Sequence, residues 1–157
     1  MSNATKTGTG KYEQLIERCR KLPPVSTAVA HPCEAGALSG AVEAAQEGLI
    51  LPILVGPSAK IAAVAESAKI DLRKFKVIDA PHSHAAAAQA VDLVRRGEAE
   101  LLMKGSLHTD ELMAAVVSRE AGLRTERRIS HVFVMDVPTY HKVLIVTDGA
   151  INIAPTL

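Results

Sequence analysis

The sequence predicts an α/β fold: a three-layer α/β/α sandwich on a mainly parallel sheet, with an antiparallel hairpin at its end. Three observations predict it. Up to Glu120, short apolar runs alternate with stretches of helical spacing, strand then helix, as parallel strands joined by helical crossovers require. The apolar residues make up 48% of the chain but include only two Phe, two Tyr and no Trp. Such a stock of small aliphatics suits helices packed closely on a sheet. Beyond Glu120 the alternation stops, and two β-rich runs, 128–137 and 142–147, flank the short turn Pro138–His141. Strands joined so tightly pair antiparallel.

In order, residues 1–10 are polar and Gly/Thr-rich and are expected to be a flexible N-terminus, with one α/β domain over 11–157. Lys11–Lys21 reads as a helix ended by Pro23-Pro24. Val25–Ala30 is the first strand and His31-Pro32-Cys33 a turn. Glu34–Glu47 is an Ala-rich helix with Gly48 suited to the position after its end. Leu49–Val55 is the second strand, where Pro52 suggests an edge position or a late start. Ser58 is a candidate N-cap for a helix over 59–68, and Phe75–Asp79 is the third strand. A long helix opens at Ser83 or His84, runs to Arg96 and closes at Gly97. Leu101–Met103 is the fourth strand, bending at Lys104-Gly105-Ser106 into a helix over 111–120. Asp148-Gly149 breaks the last strand. Asn152–Thr156, with Pro155, reads as the lead-in to a helix lying past Leu157, so the sequence is expected to stop within an architecture.

Composition narrows the function. The formal net charge is +1 with no clustered Lys and Arg, which weighs against nucleic acid as a partner. No apolar run approaches the roughly 20 residues that span a bilayer, and Met1–Gly10 has no secretory pattern, so no membrane and a cytoplasmic place are expected. Cys19 and Cys33 fall in different elements and are expected as free thiols. The His82/His84 and His131/His141 pairs lack a Cys or carboxylate at ligand spacing, so no metal is expected. Ala30-His-Pro-Cys-Glu34 stands where a dinucleotide fingerprint would be, and Lys104-Gly-Ser-Leu-His108 lacks the second Gly of a hydrolase elbow.

The stretch Ala99–Met113 organises the rest. A strand that breaks at Gly105 and re-enters as a helix is expected to aim free backbone N–H groups, and the positive helix end, at one spot. Lys104, Ser106, His108 and Thr109 add side-chain donors there, making a candidate seat for phosphate or another oxyanion. Asp110 and Glu111 also favour the helix dipole without any ligand, and many such bends bind nothing. His31, Asp148 and Asn152 are further polar residues expected at carboxyl ends of strands, where α/β sheets bind ligands. Loop ends are polar in any case, and for His31 that plain reading is preferred.

Five segments together, Met103–Leu112, Ala121–Arg124, Ile129–His131, Pro138–Lys142 and Thr147–Thr156, resemble the phosphate acetyl/butyryltransferase family in order and spacing. The likeness runs from about Tyr12 to Leu157. It looks closer to butyryl-type members and to fusions of an enoyl-CoA hydratase with a phosphate acyltransferase domain. Met113 stands where acetyl-type members carry an Arg that contacts phosphate. The resemblance implies an isocitrate/isopropylmalate dehydrogenase-like fold, of which this chain looks like the first domain. It implies reversible transfer of an acetyl- or butyryl-type group between coenzyme A and inorganic phosphate, with coenzyme A as a substrate and no other cofactor. It also implies a homo-oligomer, and a general base in the later half of the family's chains. The residues it points to for substrate and phosphate are Lys104, Gly105, Ser106, Thr109, Ser130, Asp148 and Asn152. The competing expectation is a non-catalytic α/β module that binds coenzyme A or acyl ligands or serves in assembly.

Overall fold

The computed structural model describes residues 10–151. Asn152, the lead-in over 152–156 and nearly all of the N-terminal segment 1–10 lie outside the described residues. The chain divides into two compact units, residues 22–124 and residues 1–21 with 125–157.

The larger unit holds β1 (Val25–Ala30), α1 (Ala35–Gln46), β2 (Ile50–Gly56), α2 (Ser58–Ala68), β3 (Lys76–Asp79), α3 (Ser83–Arg95), β4 (Leu101–Lys104) and α4 (Thr109–Val116). The strands form one parallel sheet in the order β3-β2-β1-β4. Its two faces bury separate clusters. Ala28, Ala30, Ile53 and Val55 meet Ala86, Ala87, Ala90 and Leu93 of α3 and Leu112 of α4. On the other face Val29 and Leu54 meet Leu38, Ala41 and Val42 of α1 and Ile61 and Ala65 of α2. Alanine predominates on the α3 side because a helix can then lie close to the sheet, and close packing is what gives small side chains their dispersion energy.

The expected mainly parallel α/β/α sheet is present. Three local expectations needed correction. Pro52 is in β2, an inner strand. The carbonyls of Leu49 and Val55 accept from the β1 side, and that of Gly56 accepts from Ala80 on the β3 side. Pro52 has the parity of Gly56, so its missing N–H faces β3, where pairing starts only at Ile53 with Lys76. The proline therefore costs no ladder bond. Ser58 is the first helical residue of α2, and its N–H donates to Oδ1 of Asp79 at 2.8 Å, so the cap comes from the end of β3. The last helix begins at Thr109 and ends at Val116, short of Glu120, because Gly122 folds back: its N–H donates to Ser118 O and that of Leu123 to Val116 O.

The smaller unit is built from α5, the helix Lys11–Cys19, and the antiparallel pair β5 (Val132–Met135) and β6 (Leu144–Thr147), registered Val132 to Thr147 and Met135 to Leu144. Lys11 Nζ reaches Asp136 Oδ1 at 3.0 Å, Val137 O at 3.0 Å and Tyr140 O at 2.6 Å, while the Tyr12 N–H donates to Asp136 Oδ2. These bonds tie the start of α5 to the turn between the strands.

Candidate functional site at the carboxyl ends of β1 and β4

In the order β3-β2-β1-β4 the chain steps from β1 to β2 on one side and returns to β4 on the other. The boundary between β1 and β4 is the switch point, where the loops after neighbouring strands leave on opposite faces and open a crevice. His31 follows β1 there, and Lys104 ends β4. The sequence placed its candidate anion seat on this bend, and the fold puts the bend at the switch point.

The bend does not present free amides. The Gly105 N–H donates to Ala30 O at 2.8 Å, and the Ser106 N–H to His31 O at 2.9 Å. That corrects the expectation of an amide-lined cradle: both donors extend the β1–β4 ladder past its last strand pair. Gly105 is required by the same approach. A Cβ on it would lie 2.4 Å from Ala30 O and 2.5 Å from His31 O.

The Ser106 hydroxyl is engaged as well. It donates to His31 O at 2.8 Å, accepts from the Cys33 N–H at 3.1 Å and lies 3.3 Å from His31 Nδ1. A hydroxyl has one proton, and here the backbone carbonyl takes it. The ring therefore meets Ser106 as a donor from Nδ1, which leaves the lone pair of His31 on Nε2. The backbone of His31 is left-handed, φ 56°, an unusual conformation for a residue with a side chain. Burial lowers its pKa first, and Lys60 lowers it further, against Glu111 and Glu34, which raise it. The Cys33 thiol is pushed up, chiefly by burial, so it is not an activated nucleophile.

What remains for a ligand is the outer side of the bend. Lys104 is exposed, and among the described residues its Nζ reaches only Gly105 O, at 3.3 Å. Thr109 opens α4 and is exposed, and the helix entry at His108 has no side-chain cap. A cation beside uncapped helical N–H groups can hold an oxyanion. Glu111 in the same turn has Oε1 3.7 Å from His84 Nδ1, and its Oε2 is buried with no hydrogen-bond partner among the described residues. Sequence reasoning assigned Glu111 only to the helix dipole and did not connect it to His31.

In the other unit Ser130 is exposed. Asp148 is half-buried with φ 56°, its N–H donating to His131 O at 2.9 Å and its Oδ2 accepting from Thr147 Oγ1 at 3.3 Å. A depression lined by Lys11, Gln14, Pro138, Thr139, Tyr140 and His141 lies in this unit, but its lysine is already saturated by Asp136 and two carbonyls. Cys19 and Cys33 are free thiols. Among the described residues no three His, Cys, Asp or Glu side chains gather as a metal site would need, and no helix is long and apolar enough to cross a membrane. His82 is used locally, its Nδ1 accepting from the Ala85 N–H as the cap of α3.

The sequence profile of a family described as phosphate acetyl/butaryl transferase matches residues 83–157. The chain is 59% identical over 147 residues to a phosphate acetyltransferase of Rhizobium meliloti, covering 94% of this chain and 46% of that protein. It is 33% identical over 144 residues to a phosphate butyryltransferase of Clostridium beijerinckii, covering 92% of this chain and 48% of that protein. The chain thus spans about half the length of the curated relatives it matches. Identity is higher to the relative named for acetyl transfer, against the nearer butyryl-type likeness expected from Met113. A single departing position carries less weight than the whole alignment. Among solved structures, a phosphotransacetylase from Streptococcus pyogenes superimposes with a TM-score of 0.75 at 16% identity, over 92% of this chain and 53% of that one. At that identity it supports the fold.

Proposed function

We propose that the chain, which matches the profile of the phosphate acetyl/butaryl transferase family over residues 83–157 and curated relatives of that name over most of its length, takes part in moving an acetyl- or butyryl-type group between coenzyme A and inorganic phosphate. The reaction is acyl-CoA and phosphate to acyl phosphate and coenzyme A. Coenzyme A is a substrate in it, and no other cofactor is invoked. The observation that carries the reading in the structure is the Lys104–Thr109 bend, at the switch point and inside the family-matched segment.

The chemistry asks for little more than placement and charge. A phosphate oxygen attacks the thioester carbonyl, negative charge builds on the carbonyl oxygen, and the thiolate leaves. Lys104 and the N-terminal end of α4 at Thr109 hold the phosphate. Gly105 and Ser106 lock the bend to β1 so that Lys104 is held in place. Ser130 and Asp148, and Asn152 after them in sequence, are proposed as substrate-binding residues from the family resemblance alone. We assign the general base to none of these residues. Residues 11–157 correspond to one half of the relatives' length and are read as the N-terminal part of such an enzyme, inactive in isolation. A cytoplasmic homo-oligomer fits the reading. Val132, Phe133, Val134, Met135 and Ile145 of the hairpin are all exposed, an apolar surface of the kind that association covers.

The test is inorganic phosphate binding to the purified chain and to Lys104→Ala, followed by calorimetry or by amide shifts of α4. Binding by the wild type, weakened about tenfold or more in the variant, is expected for a lost charge-assisted contact. Equal affinities would remove Lys104 from the site. Release of free thiol from butyryl-CoA in the presence of phosphate by the isolated chain would contradict its inactivity.

A further inference from the structure

His31 puts an open acceptor on the bend. Its ring lies against the bend itself, with Nδ1 3.3 Å from Ser106 Oγ. Ala30 pairs with Lys104 in the β1–β4 register, so His31 follows Ala30 as Gly105 and Ser106 follow Lys104, and the two loops leave the sheet side by side. Three hydrogen bonds to the His31 carbonyl oxygen, from the Ser106 N–H, the Ser106 hydroxyl and the Cys33 N–H, hold the residue at φ 56°. A side chain kept in a left-handed turn costs free energy, and folds retain such residues where the placement of the side chain matters. Ser106 also sets the ring's protonation: as acceptor of the Nδ1 proton it leaves Nε2 with a lone pair. That lone pair is accessible. His31 is half-buried, and Nε2 has no hydrogen-bond partner among the described residues. Among those residues, the buried side-chain N and O atoms that lack a partner are Glu111 Oε2 and His131 Nδ1. An unpartnered Nε2 outside that pair is in contact with water. The charged groups around the ring are Lys60, Glu111 and Glu34, and burial together with Lys60 favours its neutral form.

We propose that His31 is a specificity-determining residue of the phosphate seat: its Nε2 accepts the hydrogen bond from the O–H of hydrogen phosphate held by Lys104. This rests on the acyl-CoA and phosphate reading above and deepens it. The selection follows from acceptor chemistry. Near neutral pH inorganic phosphate carries a proton of its own, and sulfate, of similar shape and charge, carries none. Lys104 and the entry to α4 offer donors only, which satisfy both anions. An acceptor facing the protonated oxygen gains a hydrogen bond. The same acceptor facing a bare sulfate oxygen sets lone pair against lone pair and is left unpaired. Sites built to hydrogen-bond a substrate O–H reject analogues that lack it. The contact also serves acyl transfer, because it occupies the protonated oxygen and leaves the unprotonated ones, the better nucleophiles, free to attack.

The experiment titrates the whole 157-residue chain, as wild type, His31→Ala and Lys104→Ala, with inorganic phosphate and with sulfate at about pH 8, above the ordinary histidine range. The wild type is expected to bind phosphate about tenfold or more tighter than sulfate. His31→Ala should lose about that factor for phosphate, keep its sulfate affinity and so lose the preference. Lys104→Ala should weaken both anions and keep the preference. The wild-type ring gives a second readout that needs no variant to fold. In the nitrogen-15 spectrum of the labelled chain, Nε2 of His31 should stay unprotonated when phosphate is added and shift as an acceptor does. Equal wild-type affinity for the two anions, or a preference unchanged in His31→Ala, overturns the proposal while the Lys104 seat stands. So does a ring that takes up a proton on binding, since a doubly protonated ring donates to both anions alike. If the wild type binds neither anion, the proposal falls together with the phosphate seat on which it rests.

Discussion

Ser106 binds His31 with both of its donors: its N–H and its hydroxyl reach the same carbonyl oxygen, at 2.9 and 2.8 Å. The Cys33 N–H donates to that oxygen too, at 2.9 Å, and also lies 3.1 Å from Ser106 Oγ. Three donors on one carbonyl hold the residue after β1 in its left-handed turn and fix the residue after Gly105 against it. Ser106→Ala keeps the backbone bond but leaves the Cys33 N–H and the ring N–H of His31 without the hydroxyl acceptor. The Cys33 N–H keeps His31 O, so a loss of about 1 kcal/mol is expected, the scale of one net hydrogen bond. Urea denaturation with an unchanged slope measures it. A midpoint equal to that of the wild type would show that the hydroxyl holds nothing.

Two glycines separate two kinds of requirement. At Gly105 a Cβ would meet backbone atoms, Ala30 O at 2.4 Å and His31 O at 2.5 Å, which cannot swing aside. Gly105→Ala must push β4 and its bend away from β1, at an expected cost of about 3 kcal/mol. At Gly48 a Cβ would meet nothing within 4 Å, but φ is +72°, and Gly48→Ala should cost only about 1 kcal/mol of backbone strain. Thermal melts of the two variants should fall in that order. The reverse order would mean that the crowding at Gly105 relaxes freely.

These cases also mark how far the sequence could be read. The strand–helix alternation and the small aliphatics led to the parallel sheet, because periodicity follows local backbone geometry. The site's position followed as well: a strand ending at Lys104 and breaking at Gly105 was visible as a bend, and the strand order put it at the switch point. What the bend's amides do was not visible. Whether the Gly105 N–H is free or bound depends on β1 lying beside β4, a contact between residues more than seventy positions apart. The cap on Ser58 was hidden for the same reason, since the carboxylate comes from Asp79. Pro52 was ambiguous because sequence shows that a donor is missing but not which neighbour it would have faced.

The Asp79 cap makes a prediction at acid pH. The Asp79 carboxyl is held below its ordinary value, first by the hydrogen bond from the Ser58 backbone and then by the Ser58 side chain. A carboxylate with a depressed folded pKa contributes stability that is complete above its unfolded value, near ~3.9, and is lost as pH falls through the lower folded value. Asp79→Asn should therefore narrow the stability difference between neutral pH and about pH 3 relative to the wild type. Parallel acid limbs in the two proteins, from denaturant midpoints across that range, would show that the charge of Asp79 plays no part.

His31 predicts a second window, with the opposite ionisation and the same sign. Its pKa is lowered from the ordinary histidine value of 6.5, first by burial and then by Lys60, so the fold prefers the neutral ring. The unfolded chain takes up the proton at the higher pH. Folding stability from this group is thus fully present above the unfolded value and declines as pH falls from there through the folded value. The tautomer agrees: a ring donating from Nδ1 to Ser106 is already complete, and a second proton on Nε2 adds charge without adding a bond to Ser106. His31→Asn tests this cleanly, because Asn tolerates the left-handed backbone and its side-chain amide retains a donor. The stability gap between wild type and variant should be constant above about pH 7 and shrink toward pH 5. A gap that widens on acidification would mean that the folded ring prefers the proton, with Glu111 and Glu34 outweighing burial.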